Sequence, residues 1–176
     1  SPSVTSGFGG HVMVMRGSVA KLSGVELFQM GQRGRIARYP FHWHLVGNAA
    51  GQYLKNSSIH HAYNRFVSVH GTHNTVLSNN ETKNVLTANL GLLVRNAPDG
   101  KPTPSDRDAS VFWISNPDNT VRDNVAAGAD STGFWLGFPE HPIGLSTTTA
   151  VWPRRTALRD FTGNTSHSNG SRGLYV

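Results

Sequence analysis

The segment "NVAAGADSTGFWL" at 124–136 returns at 164–176 as "NTSHSNGSRGLYV". The displacement superposes Asn124 on Asn164, Gly133 on Gly173, and Phe134, Trp135 and Leu136 on Leu174, Tyr175 and Val176. The stretch "NSSIHHAYNRFVSV" at 56–69 fits the same frame, with Asn56 matched to Asn124 and Phe66 to Phe134. Each copy reads as an Asn turn, a small-residue strand, a polar turn and an aromatic or aliphatic strand. A unit this short cannot bury its own apolar face, so copies must stack on one another. Short strands between Asn and Gly turns therefore predict an all-β chain wound as a parallel β-helix, a solenoid with one continuous core. Asn residues at equivalent turns can stack into a ladder of side-chain amides, which gives Asn56, Asn79 or Asn80, Asn124 and Asn164 a structural role. Most of the glycosylation-type sequons at Asn56, Asn80, Asn164 and Asn169 touch those turns and take the same reading.

Two stretches interrupt the pattern. "NAPDGKPTPSDRD" at 96–108 and "GFPEHPIGLSTTTAVWPRRT" at 137–156 are rich in Pro, Gly and polar residues, and read as long loops extruded from coils. Long loops on a rigid repeat are where binding and catalysis concentrate. The whole of 1–176 reads as a single β-helix domain. Since "GLYV" stops on a strand with nothing to shield the last coil, the expectation is a segment of a longer protein, or open coil ends covered by a neighbouring domain or chain.

"RYPFHWHLVG" at 39–48 carries the first candidate chemistry. Strand alternation would turn Phe41, Trp43 and Leu45 inward and His42 and His44 outward together. If Val67 and Val69 face inward one coil later, Ser68 and His70 stand outside beside them. Three imidazoles on one patch are candidate ligands for a divalent metal ion, or candidate general bases; the alternative is polar side chains on a wet face. His60, His61 and His73 lie close enough in sequence to contribute. No organic cofactor is expected. With no cysteine in the chain, disulfides and thiolate metal sites are excluded.

Charge narrows the partner. Sixteen Lys and Arg against ten Asp and Glu give a net +6, which suits a polyanion. The basic residues are scattered, so a nucleic-acid tail or polybasic membrane anchor is not expected, and no apolar run is long enough for direct membrane insertion.

"GGHVMVMRGSVAKLSGVELFQMGQ", "RYPFHWHLVG", "YLKNSSIHHAYNRFVSVHGTHNTVLSNN", "NLGLLVR" and "DRDASVFWISNPDNTVRDNVAAG" together resemble the β-helix region of the CEMIP family of cell-migration-inducing, hyaluronan-binding proteins, including bacterial proteins with the eight-glycine domain. The resemblance implies a right-handed parallel β-helix, an extracellular, secreted or cell-surface setting, and action on hyaluronan or another glycan. One departure stands out. After "NNETKNV" the family continues through a coil resembling "GHAFFLEDG", whereas here Val85 runs directly into "LTANLGLLVR".

Two chemistries stay open for a glycan-active chain. A hydrolase needs a pair of carboxylates, for which Asp106, Asp108 and Glu140 are the candidates; their alternative is turn capping and ion pairing. A lyase acting on an acidic polysaccharide needs a cation to neutralise a uronate, a base and an acid. Arg38, Arg65 or Arg95 could neutralise; His42, His44 or His70 could take the proton; Tyr63 could donate one. Trp43 reads as core, and Trp135 and Trp152 as platforms for a sugar ring. The competing expectation is a noncatalytic structural or adhesive segment of a larger surface protein.

Overall fold

The structure, a computed structural model, describes residues 5–72, 85–96, 108–143 and 147–176. The chain runs through three strands and then repeats the pattern. β1 (Val12–Val14), β2 (Lys21–Ser23) and β3 (Glu26–Phe28) are followed by β4 (Phe41–Gly47), β5 (Tyr53–Lys55) and β6 (Ser58–His60). Then come β7 (Val67–Thr72), β8 (Val85–Thr87) and β9 (Leu90–Leu92), and next β10 (Ser110–Ile114), β11 (Thr120–Arg122) and β12 (Val125–Ala127). β13 (Thr132–Leu136), β14 (Asp160–Thr162), β15 (Thr165–His167) and β16 (Arg172–Tyr175) complete it.

Each strand pairs in parallel with the strand three elements away, giving a six-stranded sheet β1-β4-β7-β10-β13-β16 and two five-stranded sheets. This is an all-β chain of parallel strands, consistent with a β-helix domain. Its core columns follow from the register. Phe41, Val67, Phe112 and Phe134 are matched from strand to strand, as are Trp43, Val69, Ile114 and Leu136. All are buried, and Phe112 stacks on Phe134 at 4.9 Å. Trp43 lies in the core as its sequence position predicts, its indole N–H donating to Gln52 Oε1 at 3.0 Å.

The superposition of 124–136 on 164–176 holds in the register, while the 56–69 copy is displaced by one residue from the sequence reading. Val67, not Phe66, aligns with Phe112 and Phe134, and Ser57, not Asn56, occupies the ladder position. The amide ladder runs Asn89, Asn124, Asn164: Asn89 Nδ2 donates to Asn124 Oδ1 at 2.9 Å, and Asn124 Nδ2 to Asn164 Oδ1 at 3.0 Å. Ser57 N–H donates to Asn89 Oδ1 at 3.2 Å, beginning the ladder without an amide side chain of its own. Asn79 and Asn80 lie outside the described residues.

The turn residues explain the shift. Gly24, Asn56, Ala88, Asp123 and Gly163 form a column with φ between 49° and 66°, and Gln29, His61, Leu93, Gly128 and Ser168 form a second with φ between 52° and 66°. Asn56 is therefore a left-handed turn residue, a conformation Asn tolerates, directly before the ladder position. Ala88 lacks that tolerance at φ 49° and is exposed. Ala88→Gly is expected to stabilise the chain by roughly 0.5–1 kcal/mol, read as a rise in urea midpoint with unchanged slope.

Of the two long loops, 97–107 lies outside the described residues. In the other, 137–143 and 147–156 are described, with one 3-10 turn at Pro153–Arg155.

Candidate functional site

The two strands that carry the histidines, β4 and β7, pair with His42 opposite Ser68 and His44 opposite His70. Phe41 and Trp43, with Val67 and Val69 across from them, fill the interior, so the imidazoles project from the outer face. Leu45 departs from the expected alternation. Its φ is 54°, Gly71 at the matching position has φ 55°, and the pair regains register only at Gly47 opposite Thr72. A bulge re-aims side chains locally, and Val46 rather than Leu45 takes the buried position.

His42 does not face water either; it is 2% exposed. The outer face here carries a second, small polar layer. Tyr39, His44 and His70 have ring centroids 5.0, 4.8 and 6.2 Å from that of His42. Arg65, itself buried, donates to Tyr39 Oη at 3.1 Å and lies over the Trp113 ring at 3.7 Å. Ser68, the small residue in register between His42 and Trp113, is buried beneath this layer.

Hydrogen bonding fixes the His42 tautomer. A carbonyl only accepts, so the 3.2 Å contact with Ala37 O makes Nδ1 the donor and leaves the lone pair on Nε2, which is buried without a partner. His44 and His70 approach with their Nδ1 atoms 3.3 Å apart. Burial pushes His42 down from 6.5 to about 3, opposed by the Ala37 hydrogen bond and reinforced by His44, His70 and Arg65. Burial also lowers His44; it lowers His70, with added repulsion from His44 and Arg65. Candidate ligand nitrogens of all three lie within 4.8 Å of one another. The result is a cluster of neutral imidazoles with lone pairs available near neutral pH.

His70 and Arg65 also line a groove of about 840 Å³. Trp113, Trp135 and Tyr175 run along it as a stack, with centroids 4.8 and 4.0 Å apart. The loop after β13 supplies the wall through Pro139, Ile143 and Arg154. That loop is held by Arg154 N–H donating to Pro139 O at 3.2 Å and by His141 Nδ1 donating to Val151 O at 3.0 Å. Among the described residues lining the groove, the permanently charged side chains are Arg65 and Arg154, and none is acidic.

The other sequence candidates lie elsewhere. Glu140 is exposed and Asp108 half-buried, and neither lines the groove; Asp106 and His73 fall outside the described residues. His60 and His61 bond to one another at 2.8 Å, and His60 to Glu26 at 2.8 Å on a different sheet, so they do not join the cluster. Arg38 is exposed, Arg95 pairs with Asp130 at 2.7 Å, and Tyr63 is buried with its backbone bridged to Arg95. Trp135 is no free platform, because Trp113 and Tyr175 stack on either side of it; Trp152 packs against His141 and under Arg155. Arg154 was not singled out from the sequence. The signal for its neighbours was the alignment of Trp135 with Tyr175, which puts both on the outer face with Trp113.

Three sheets of parallel strands visited in turn are consistent with a protein of the β-helix class. The chain belongs to the CEMIP beta-helix family, whose model matches residues 7–174. It is 34% identical over 192 aligned positions to fibrocystin-L of Mus musculus, covering 96% of this chain and 4% of that protein. It is 31% identical to the cell surface hyaluronidase CEMIP2 of Homo sapiens and 30% identical to the cell migration-inducing and hyaluronan-binding protein of Mus musculus. Those two alignments each cover 96% of this chain and 16% of the relative. Each spans 220 positions, more than the 176 residues present, so each contains gaps opposite insertions in the relative.

Proposed function

We propose that this chain is the glycan-contacting part of an extracellular or cell-surface protein, a right-handed parallel solenoid whose outer groove holds an acidic polysaccharide of the hyaluronan class. A divalent metal ion on His42, His44 and His70 completes the groove. The observation that carries this is the groove's charge: Arg65 and Arg154 line it without a carboxylate among the described residues, over an aromatic floor. The names of two relatives, a hyaluronidase and a hyaluronan-binding protein, point to the same ligand. The right hand follows from the strong preference of parallel crossover connections. No described helix is long and apolar enough to cross a membrane. The exposed apolar side chains Leu174 and Val176 are where a neighbouring domain or chain would seat.

Cleavage in this groove would use Arg65 to neutralise a uronate carboxylate, with His42, His44 and His70 holding the ion rather than serving as bases; Asp108 and Glu140 do not line it. The second reading is a noncatalytic rod, favoured by the ion pairs Arg122–Asp160, Arg95–Asp130 and Arg159–Asp118, which tie successive levels together.

Size-exclusion analysis of hyaluronan, alginate and pectin after incubation, with and without chelator, separates these readings. Shortened chains with ultraviolet-absorbing unsaturated ends establish a lyase; shortening without them establishes a hydrolase. Retention without shortening leaves a binding groove, and neither retention nor shortening leaves the rod. Arg154→Ala is expected to weaken hyaluronan retention about three- to tenfold and to reduce its salt dependence, as loss of one exposed charge contact should.

A further inference from the structure

We infer that the three-histidine cluster selects a borderline transition metal, zinc above all, over calcium or magnesium, and that the ion's fourth position opens into the groove to take a carboxylate oxygen. The choice of metal rests on the side chains alone; the carboxylate rests on the proposed glycan reading.

The donor set decides the metal class. Among the described residues the cluster offers three imidazole nitrogens and no carboxylate, whereas calcium and magnesium require oxygen ligands. Three neutral nitrogens with one open position is the arrangement of a reactive rather than a structural zinc site. The spacing fits for one pair, while the full set of ligand atoms, within 4.8 Å of one another, has to draw in on binding. Two ligands of a tetrahedral ion with bonds of about 2.0–2.1 Å stand roughly 3.3 Å apart, and the Nδ1 atoms of His44 and His70 are 3.3 Å apart.

His42 supplies an independent observation. Its Nδ1–H is held by the Ala37 carbonyl, the outer-shell bond that typically orients a ligating imidazole. Its Nε2 is left buried and unpaired, in a side chain 2% exposed. A buried lone pair of that kind is stabilised by a cation.

The open position follows from the burial gradient. His42 closes the site from beneath, while His70 lines the groove. Arg65, whose positive charge opposes protonation of His42 and His70, also opposes a bare dication. With no anionic ligand in the cluster among the described residues, an ion beside Arg65 would take an external anion, and Arg65 is placed to share it.

The test uses the chain prepared without a histidine tag. Calorimetry with Zn²⁺ and with Ca²⁺ reads the selectivity, and the visible spectrum of bound Co²⁺, with and without glucuronate, reads the open position. Expected are one Zn²⁺ per chain, bound at least a hundredfold more tightly than Ca²⁺, and an intense tetrahedral Co²⁺ spectrum that glucuronate changes. His42→Ala should abolish binding; if it does not fold, His44→Ala, at a half-exposed position, carries the same expectation with its circular dichroism unchanged. Failure of Zn²⁺ to bind, equal affinity for Ca²⁺, or binding that survives loss of either histidine overturns the site. A Co²⁺ spectrum indifferent to glucuronate overturns the open position. Hyaluronan retention is measured separately in chelator. Retention without Zn²⁺ binding sinks this inference and leaves the groove, whereas Zn²⁺ binding without retention at any metal content does the reverse.

Discussion

Taking the metal-free protein from pH 7 to pH 5 is expected to cost about 2 kcal/mol of folding stability through His42 alone, and about 3 kcal/mol by pH 4. The unfolded chain protonates this imidazole below about 6.5, while burial delays protonation in the folded chain until about 3. The unfolded state therefore binds more protons throughout that window. The stability is fully present above pH 6.5 and is lost as the pH falls towards 3. His44 and His70, both lowered by burial, act in the same direction. Asp160, held low by hydrogen bonds from Thr162 and Arg122, does not obscure the result, since its linkage is lost only below the usual carboxylate range. Urea unfolding at pH 7, 6 and 5 in chelator reads the slope. His42→Leu keeps the volume buried without a titratable group and should flatten the slope; an unchanged slope would place the acid sensitivity elsewhere.

How far the sequence reached is clearest at this cluster. Period-two alternation over 41–44 put His42 and His44 on one face, and stacking brought His70 to them, because parallel pairing repeats every side chain on the same face. Alternation says nothing of what covers that face. Tyr39 and Arg65 fold over it from turns, and only three-dimensional packing shows His42 sealed beneath them. The bulge at Leu45 was illegible for a related reason. Gly71 could signal a left-handed residue, but Leu45 adopts the same conformation under tertiary constraint alone. The groove wall comes from a loop whose path depends on contacts such as His141 with Trp152, absent from any local pattern.

The amide ladder gives the second large effect, and it also tests the one-residue correction to the repeat. Asn124 is fully buried and accepts from both the backbone N–H and the Nδ2 of Asn89, while its own Nδ2 donates to Asn164 Oδ1. Asn124→Ala removes these partners together and leaves buried donors on Asn89 without their acceptor. At about 1–3 kcal/mol for each stranded buried group, the expected loss is roughly 3–5 kcal/mol, seen as a large fall in urea midpoint. Asn56 matches Asn124 in the uncorrected frame, yet in the structure it is an exposed turn residue at φ 50° whose Nδ2 donates to Ser23 Oγ at 3.4 Å. Asn56→Gly keeps the left-handed turn and should change stability by less than about 0.5 kcal/mol. Equal losses in the two variants would put Asn56 in the ladder and return the repeat to its original frame. A large loss at Asn124 with none at Asn56 fixes the register that sets His42 opposite Ser68 and His44 opposite His70, on which the site depends.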